Sequence, residues 1–265
     1  MVEAREEDLP EGERVEGECF PLAATAEEWM RWAEGCSNPG QLIAWLVQTG
    51  RLGEYPELAA LIDVPQDAQW HPEGPVHTHT DFVLAAAGRI ADREGLHGTE
   101  RAILLFAALT HDLGKPKTTV QRLKRGELRW TAYGHDQEGV PIAARLLRRL
   151  GISEEIVACV LPLVERHMAF RDFTGNETGA KVIRRMALRL APATLRQLGY
   201  LIEADYSGRP PLPQGLPPSA RHMLVLAERF GVLDGCEPED VASRRDAETQ
   251  RGIETFGQDL RDFQD

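Results

Sequence analysis

The chain has 265 residues, 42% hydrophobic and 27% charged, enough apolar material for a packed core that needs no disulfide staples. A formal net charge of −12 argues against a protein that grips a long nucleic acid, because neutralising phosphates requires a basic face. No apolar run approaches the roughly 20 residues that span a bilayer.

Residues 1–18 carry eight acidic and two basic side chains and no apolar stretch, which is neither a signal nor a transit peptide, so a cytoplasmic chain is expected. The four cysteines (Cys19, Cys36, Cys159 and Cys236) are scattered without a CxxC pair and read as free thiols of a reducing compartment.

In chain order, TAEEWMRWAEG predicts a helix capped by Thr25 and stopped at Gly35, and PGQLIAWLVQTG one that opens near Pro39 and closes at Gly50. PELAALI repeats the proline-first pattern, and WHPEGPV is a turn. HTDFVLAAAGRIADREG is a helix ending on Gly95. TERAILLFAALTHDLG, from a Thr99 cap to Gly114, is apolar nearly all round and predicts a buried central helix. RLKRGELRW is a small hairpin or extended loop. HDQEGVPIAARLLRRLG and SEEIVACVLPLVERHM are helices, the second capped by Ser153 and kinked at Pro162. GAKVIRRMALRL and PATLRQLGYLIEADYSG follow, then the Pro-rich linker GRPPLPQGLPPSA and a helix in ARHMLVLAERFG. Trp29, Trp32 and Trp45, at helical spacing, are core residues. The fold class is all-α.

Eight histidines are present: His71, His77, His79, His97, His111, His135, His167 and His222. His111 and Asp112 end an apolar helix, where a carboxylate is costly to bury unless it is paired or metal-bound. Alone, the pair reads as a helix-end histidine beside a capped turn. With His79 early in one helix and Asp205 late in another, it makes a mixed nitrogen and oxygen set. Such a set suits octahedral Mn, Fe, Co, Ni or Mg and lacks the thiolates of structural zinc.

The order His79, His111-Asp112, Asp205 resembles the H…HD…D signature of the HD phosphohydrolase superfamily. The flanks PELAALIDVPQDAQWHPEGPVHTHT, FAALTHDLGKPKTT, YGHDQEG, LVERH and EADYSGR resemble the HD domain attached to bacterial CCA-adding enzymes (tRNA nucleotidyltransferases), over about residues 25–210. Neither a Gly-Ser loop nor a paired-Asp strand motif lies upstream, so nucleotide addition is not expected. The organisation implied is an acidic flexible tail (1–24), a helical neck (25–74), an HD-type helical bundle (75–210), and a Pro-rich linker with C-terminal helices (211–265).

The resemblance implies a metal-dependent phosphohydrolase with one or two divalent ions (Mn, Ni, Co, Mg or Fe). His79, His111, Asp112 and Asp205 are its core ligands, with His77 a rival to His79 in VHTHT. His135 and His167 stand where multinuclear members hold a second metal; otherwise they are a loop residue and a helix-end histidine. Lys115 and Arg209 are placed to meet phosphate, so Asp112, Lys115, His135 and Arg209 are the expected catalytic groups. His71, His97 and His222 read as structural or surface residues. The expected partner is a small phosphorylated substrate, a nucleotide, a 2′,3′-cyclic nucleotide or a short RNA end, without long nucleic acid or membrane. Rival readings are a non-catalytic RNA- or protein-binding module with a relic metal site, and a diiron oxygenase.

Overall fold

The structure, a computed structural model, describes residues 19–173 and 179–235. The acidic tail through residue 18 and the charged segment from 236 onward lie outside the described residues.

Helix α1 (Ala26–Gly35) starts where the Thr25 hydroxyl accepts from Glu28 N, with Glu27 and Glu28 favourably placed at the positive end of the helix dipole. Helices α2 (Leu42–Gln48) and α3 (Pro56–Ala59) are short. The next, α4 (Val76–Glu94), closes on Gly95 at φ 66°, a left-handed cap. Asp81 of α4 accepts hydrogen bonds from Ile43 N (2.9 Å) and Ala44 N (3.0 Å), so α4 caps the start of α2 from across the fold.

Helix α5 (Gly98–Thr110) is the centre of the molecule. All of Arg101–Thr110 is buried, and α5 packs against α1, α4, α8 and α10. It begins at Gly98 behind an extended His97, not at a Thr99 cap, and it ends at Thr110, one residue before His111. A short α6 (Lys115–Thr118) leads into an antiparallel hairpin, β1 (Val120–Lys124) and β2 (Glu127–Thr131), the only sheet among the described residues. Helices α7 (His135–Arg149), α8 (Glu154–Arg166), α9 (Ala180–Leu190), α10 (Leu195–Ser207) and α11 (Pro218–Arg229) complete an all-α bundle. Ser153 caps α8, and a capping box of Thr194 and Gln197 starts α10.

Trp29 and Trp32 are fully buried, and Trp45 is buried as well. Trp29 meets Tyr55 edge-on at 5.2 Å between ring centroids, and Trp32 meets Phe106 of α5 at 5.9 Å. The N-terminal helices therefore share one core with the bundle.

Two sequence expectations change. Cys19 and Cys36 form a disulfide, because the chain folds back across α1 and brings their Cα atoms to 5.0 Å; Cys159 is a free, buried thiol, and Cys236 lies outside the described residues. The reading of four free thiols is corrected for that pair, and the compartment inferred from it loses that support. No helix of the described residues is long and apolar enough to cross a membrane. The Pro-rich segment is also no simple linker. Pro217, Pro218 and Ser219 line the same cleft as His135 and Asp205, and α11 packs on α10.

Close backbone approaches hold the helix ends together. A Cβ on Gly208, after α10, would sit 2.9 Å from Val83 N of α4. A Cβ on Gly114, after α5, would clash with His135 O and lie 2.7 Å from Gly139 N of α7. Because backbone, not a flexible side chain, fills that space, Gly114→Ala is expected to destabilise the fold by about 1–3 kcal/mol. A urea or thermal melt reads this, and an unchanged midpoint would contradict the close packing of the α5–α6 turn on α7.

Candidate metal centre

Five helix ends deliver the ionisable cluster. His79 stands in the first turn of α4, and His111 and Asp112 follow the last residue of α5. His135 opens α7, His167 follows α8, and Asp205 lies in the last turn of α10. The helix interiors can therefore stay apolar while their ends face a common polar volume.

The imidazoles are turned by a repeated local bond. His111 Nδ1 donates to Ala108 O (2.8 Å), His135 Nδ1 to Ala132 O (2.6 Å) and His167 Nδ1 to Val164 O (2.7 Å), each reaching back three residues. A carbonyl only accepts, so each Nδ1 carries the proton and each Nε2 presents its lone pair inward when the ring is neutral. His79 Nδ1 lies 2.8 Å from Glu73 Oε1 and 3.2 Å from Gly208 O, which orients its Nε2 in the same way.

These inward atoms fall into two groups joined by Asp112. His79, His111 and Asp205 form one, with His79 Nε2 3.2 Å from Asp205 Oδ1. Asp112, His135 and His167 form the other. Asp112 Oδ2 lies 3.2 Å from His111 Nε2 and 3.7 Å from His79 Nε2, while Oδ1 lies 3.3 Å from His135 Nε2. His135 Nε2 and His167 Nε2 are 3.1 Å apart. With both Nδ1 atoms protonated, that short distance sets two lone pairs against each other. It is a geometry for sharing a cation, not for a hydrogen bond. His79 Nε2, His111 Nε2 and both oxygens of Asp112 are buried with no aligned hydrogen-bond partner. Orphaned buried acceptors of this kind are costly unless something absent from the protein itself completes them. The donor set fits divalent ions.

Protonation follows from the surroundings. Burial alone would raise the Asp112 carboxyl, but the neighbouring His111 and Lys115 charges hold it well below the usual range. Burial likewise opposes Asp205, which the His79 ring and the nearby cations keep low. Burial pulls His167 down to about 3 and lowers His135, so both stay neutral and ligand-ready. His79 is the exception. Burial opposes its charge, but Asp205 and Glu73 on either side outweigh that and raise it to about 9.

All the residues expected to bind metal thus meet in one volume: His79, His111, Asp112 and Asp205, with His135 and His167 beside them. His77, the rival, is turned away, its Nδ1 accepting from Asp63 N at 3.3 Å. Lys115 is buried, 2.6 Å from Asp112 Oδ2 and 2.6 Å from Gln66 Oε1. Arg209 is buried 4.1 Å over the Tyr206 ring, its Nε without a hydrogen-bond partner. Lys115, Arg209, Asp112, His135, His167 and Asp205 all line a cleft of about 750 Å³.

His71, read from the sequence as structural or surface, lies beside the centre against Glu73, a residue that the sequence reading did not single out. The Glu73 side chain is fully buried, and its Oε1 takes hydrogen bonds from both His79 Nδ1 and His71 Nδ1 (2.9 Å). Burial would raise it, but those two bonds lower it to about 2. In the turn WHPEGPV a glutamate reads as solvated; its spacing from His79 was the available signal.

The HD domain family model matches residues 76–203. The chain is 35% identical over 187 residues to a Multifunctional CCA protein of Xanthomonas oryzae, covering 68% of this chain and 42% of that one. It is 33% identical over 210 residues to one of Xanthomonas campestris, covering 75% and 47%. For one of Shewanella frigidimarina the figures are 30% over 182 residues, 68% and 41%. The chain spans less than half the length of these curated relatives. Residues 76–203 are thus an HD domain, the domain of a superfamily of metal-dependent phosphohydrolases, and it is related to CCA proteins.

Two predictions follow from the ligand geometry. At pH 8 the ion-free His79 is protonated, since its value lies near 9, and ligation requires its Nε2 lone pair. Metal binding is expected to release that proton at pH 8 and not at pH 10, with affinity rising between them. Calorimetry in buffers of different ionisation enthalpy measures it, and no proton release at pH 8 would contradict it. Glu73→Gln, which weakens the acceptor that orients His79, is expected to reduce metal affinity by about 10–100-fold. Direct Mn²⁺ titration reads this loss.

Proposed function

We propose that this protein hydrolyses phosphate esters, with His79, His111, Asp112 and Asp205 holding one divalent ion and Asp112, His135 and His167 a second. The observation that carries the reading is the convergence of four imidazole Nε2 atoms, the buried Asp112 and the partly buried Asp205 beside a cleft whose wall also holds two buried cations, Lys115 and Arg209.

Divalent ions held by such a set supply a water activated near neutral pH and polarise a phosphoryl oxygen. Asp112 presents one oxygen to each group, so it joins the two halves. Lys115 and Arg209 offer fixed positive charge to the phosphate oxygens as negative charge grows on them. Burial strengthens both contacts and removes competing water. The lowered His135 and His167 stay neutral through the working range, so their bond to the ion does not compete with protons.

The preferred substrates are small: nucleotides, 2′,3′-cyclic nucleotides or the phosphate end of a short RNA. The kinship with CCA proteins, which the family likeness limits to the HD domain, supports that choice.

The test is turnover of bis-p-nitrophenyl phosphate and a nucleotide panel with Mn, Ni, Co and Mg. Metal-dependent hydrolysis is expected. Asp112→Asn is expected to abolish it together with metal retention, and Arg209→Ala to lower kcat by about 10²–10³-fold with metal retained. Full turnover by Asp112→Asn would overturn the assignment.

The six-residue donor set, four histidines and two aspartates, also suits a diiron oxygenase. Oxygen uptake by the iron-loaded protein without phosphate-ester hydrolysis would favour that reading. Lys115 and Arg209 in the cleft wall favour the phosphate.

A further inference from the structure

The charge of the chain is unevenly spread. Overall it is −12, yet residues 115–133 hold six basic side chains and one acidic. Most of that charge sits on the β1–β2 hairpin, whose strand residues are exposed save for its last few positions. The register pairs Arg122 with Arg129 and Lys124 with Glu127 on one face. Like charges set directly opposite destabilise a hairpin, so stability alone does not account for the pair. Arg129 is tied to Asp67 (3.5 Å), Gln69 and Glu127 (3.1 Å), which fastens the hairpin to the loop that carries Trp70. Among the described residues no carboxylate pairs with Arg122, Lys124 or Arg125. Arg122 and Lys124 instead gather on the Tyr133 ring, 5.7 and 4.6 Å from its centroid.

Tyr133 is 61% exposed and Trp70 56%, and both line the mouth of the cleft whose wall includes Asp112 and His135. Two large open rings with unneutralised cations beside one of them, at the rim of a catalytic cleft, make a surface for stacked bases and a phosphodiester backbone.

We propose that this hairpin rim is a landing surface for a single-stranded nucleic-acid segment, whose terminal phosphate then reaches the cleft floor. Tyr133 and Trp70 stack bases, and Arg122 and Lys124 meet backbone phosphates. The inference deepens the phosphohydrolase reading and rests on it for the fate of the terminal phosphate, but strand binding is measurable without turnover. It also narrows the argument from net charge, which speaks against a long duplex and not against a few nucleotides held on a local basic face.

The test uses the full chain in EDTA and a fluorescein-labelled eight-nucleotide RNA bearing a 3′-phosphate, followed by anisotropy across a salt series. Binding is expected to weaken with salt. Arg122→Ala with Lys124→Ala is expected to lower the log–log salt slope by about 1.4, the value for two lost contacts on a single strand. Tyr133→Ala is expected to weaken binding by about 5- to 150-fold. All these variants change exposed side chains, so melting points should stay at wild-type values. No strand binding, or an unchanged slope and affinity in the variants, overturns the landing surface even if small esters are hydrolysed. Equal binding of an RNA duplex of the same length also overturns it. Hairpin-dependent strand binding in a protein that hydrolyses no ester would uphold the surface and defeat the phosphohydrolase reading.

Discussion

Everything at this centre depends on a short bond made three times, from an imidazole Nδ1 to the carbonyl three residues behind it. At His111, His135 and His167 that bond selects the tautomer and aims the other nitrogen, so three separate helix ends point electron pairs at one volume. Glu73 does the same for His79 from outside the helix. The arrangement is poor for the protein alone, because buried carboxylate oxygens and imidazole nitrogens are left without aligned partners. That imbalance is what a divalent cation would resolve. The tight approaches at Gly114 and Gly208 are the backbone side of the same design, since side chains there would push the helix ends apart.

Much of this was legible in the sequence, for reasons that differ by residue. His111-Asp112 stood out because a carboxylate at the end of an apolar helix demands compensation. His79 and Asp205 joined it because they interrupt helices in the same manner. Helix caps at Thr25, Ser153 and Gly95 were readable because local chemistry decides them. What depended on tertiary approach was not readable. Glu73 lies in a turn, where a charged residue is ordinary until the fold buries it. Cys19 and Cys36 pair only because the chain doubles back over α1. The prolines near 217 looked like a linker by composition, whereas their place in the cleft wall follows from how α11 packs on α10. The hairpin was faint because five-residue strands with no buried face show little hydrophobic period.

The electrostatics divide the molecule into two regimes. The described residues carry as many basic as acidic side chains, 24 of each, while the cleft and its rim concentrate buried and exposed cations where whatever enters meets them.

The meeting of Trp32 with Phe106 carries a consequence for where this unit can be cut. Helix α5, which ends just before His111, rests its aromatic underside on a ring supplied from far upstream of the family-matched region. A fragment trimmed to residues 76–203 would bare that underside to water and loosen the very helix whose tip carries the His-Asp pair. The folding unit is therefore larger than the family-matched region, and includes the N-terminal helices as a foundation.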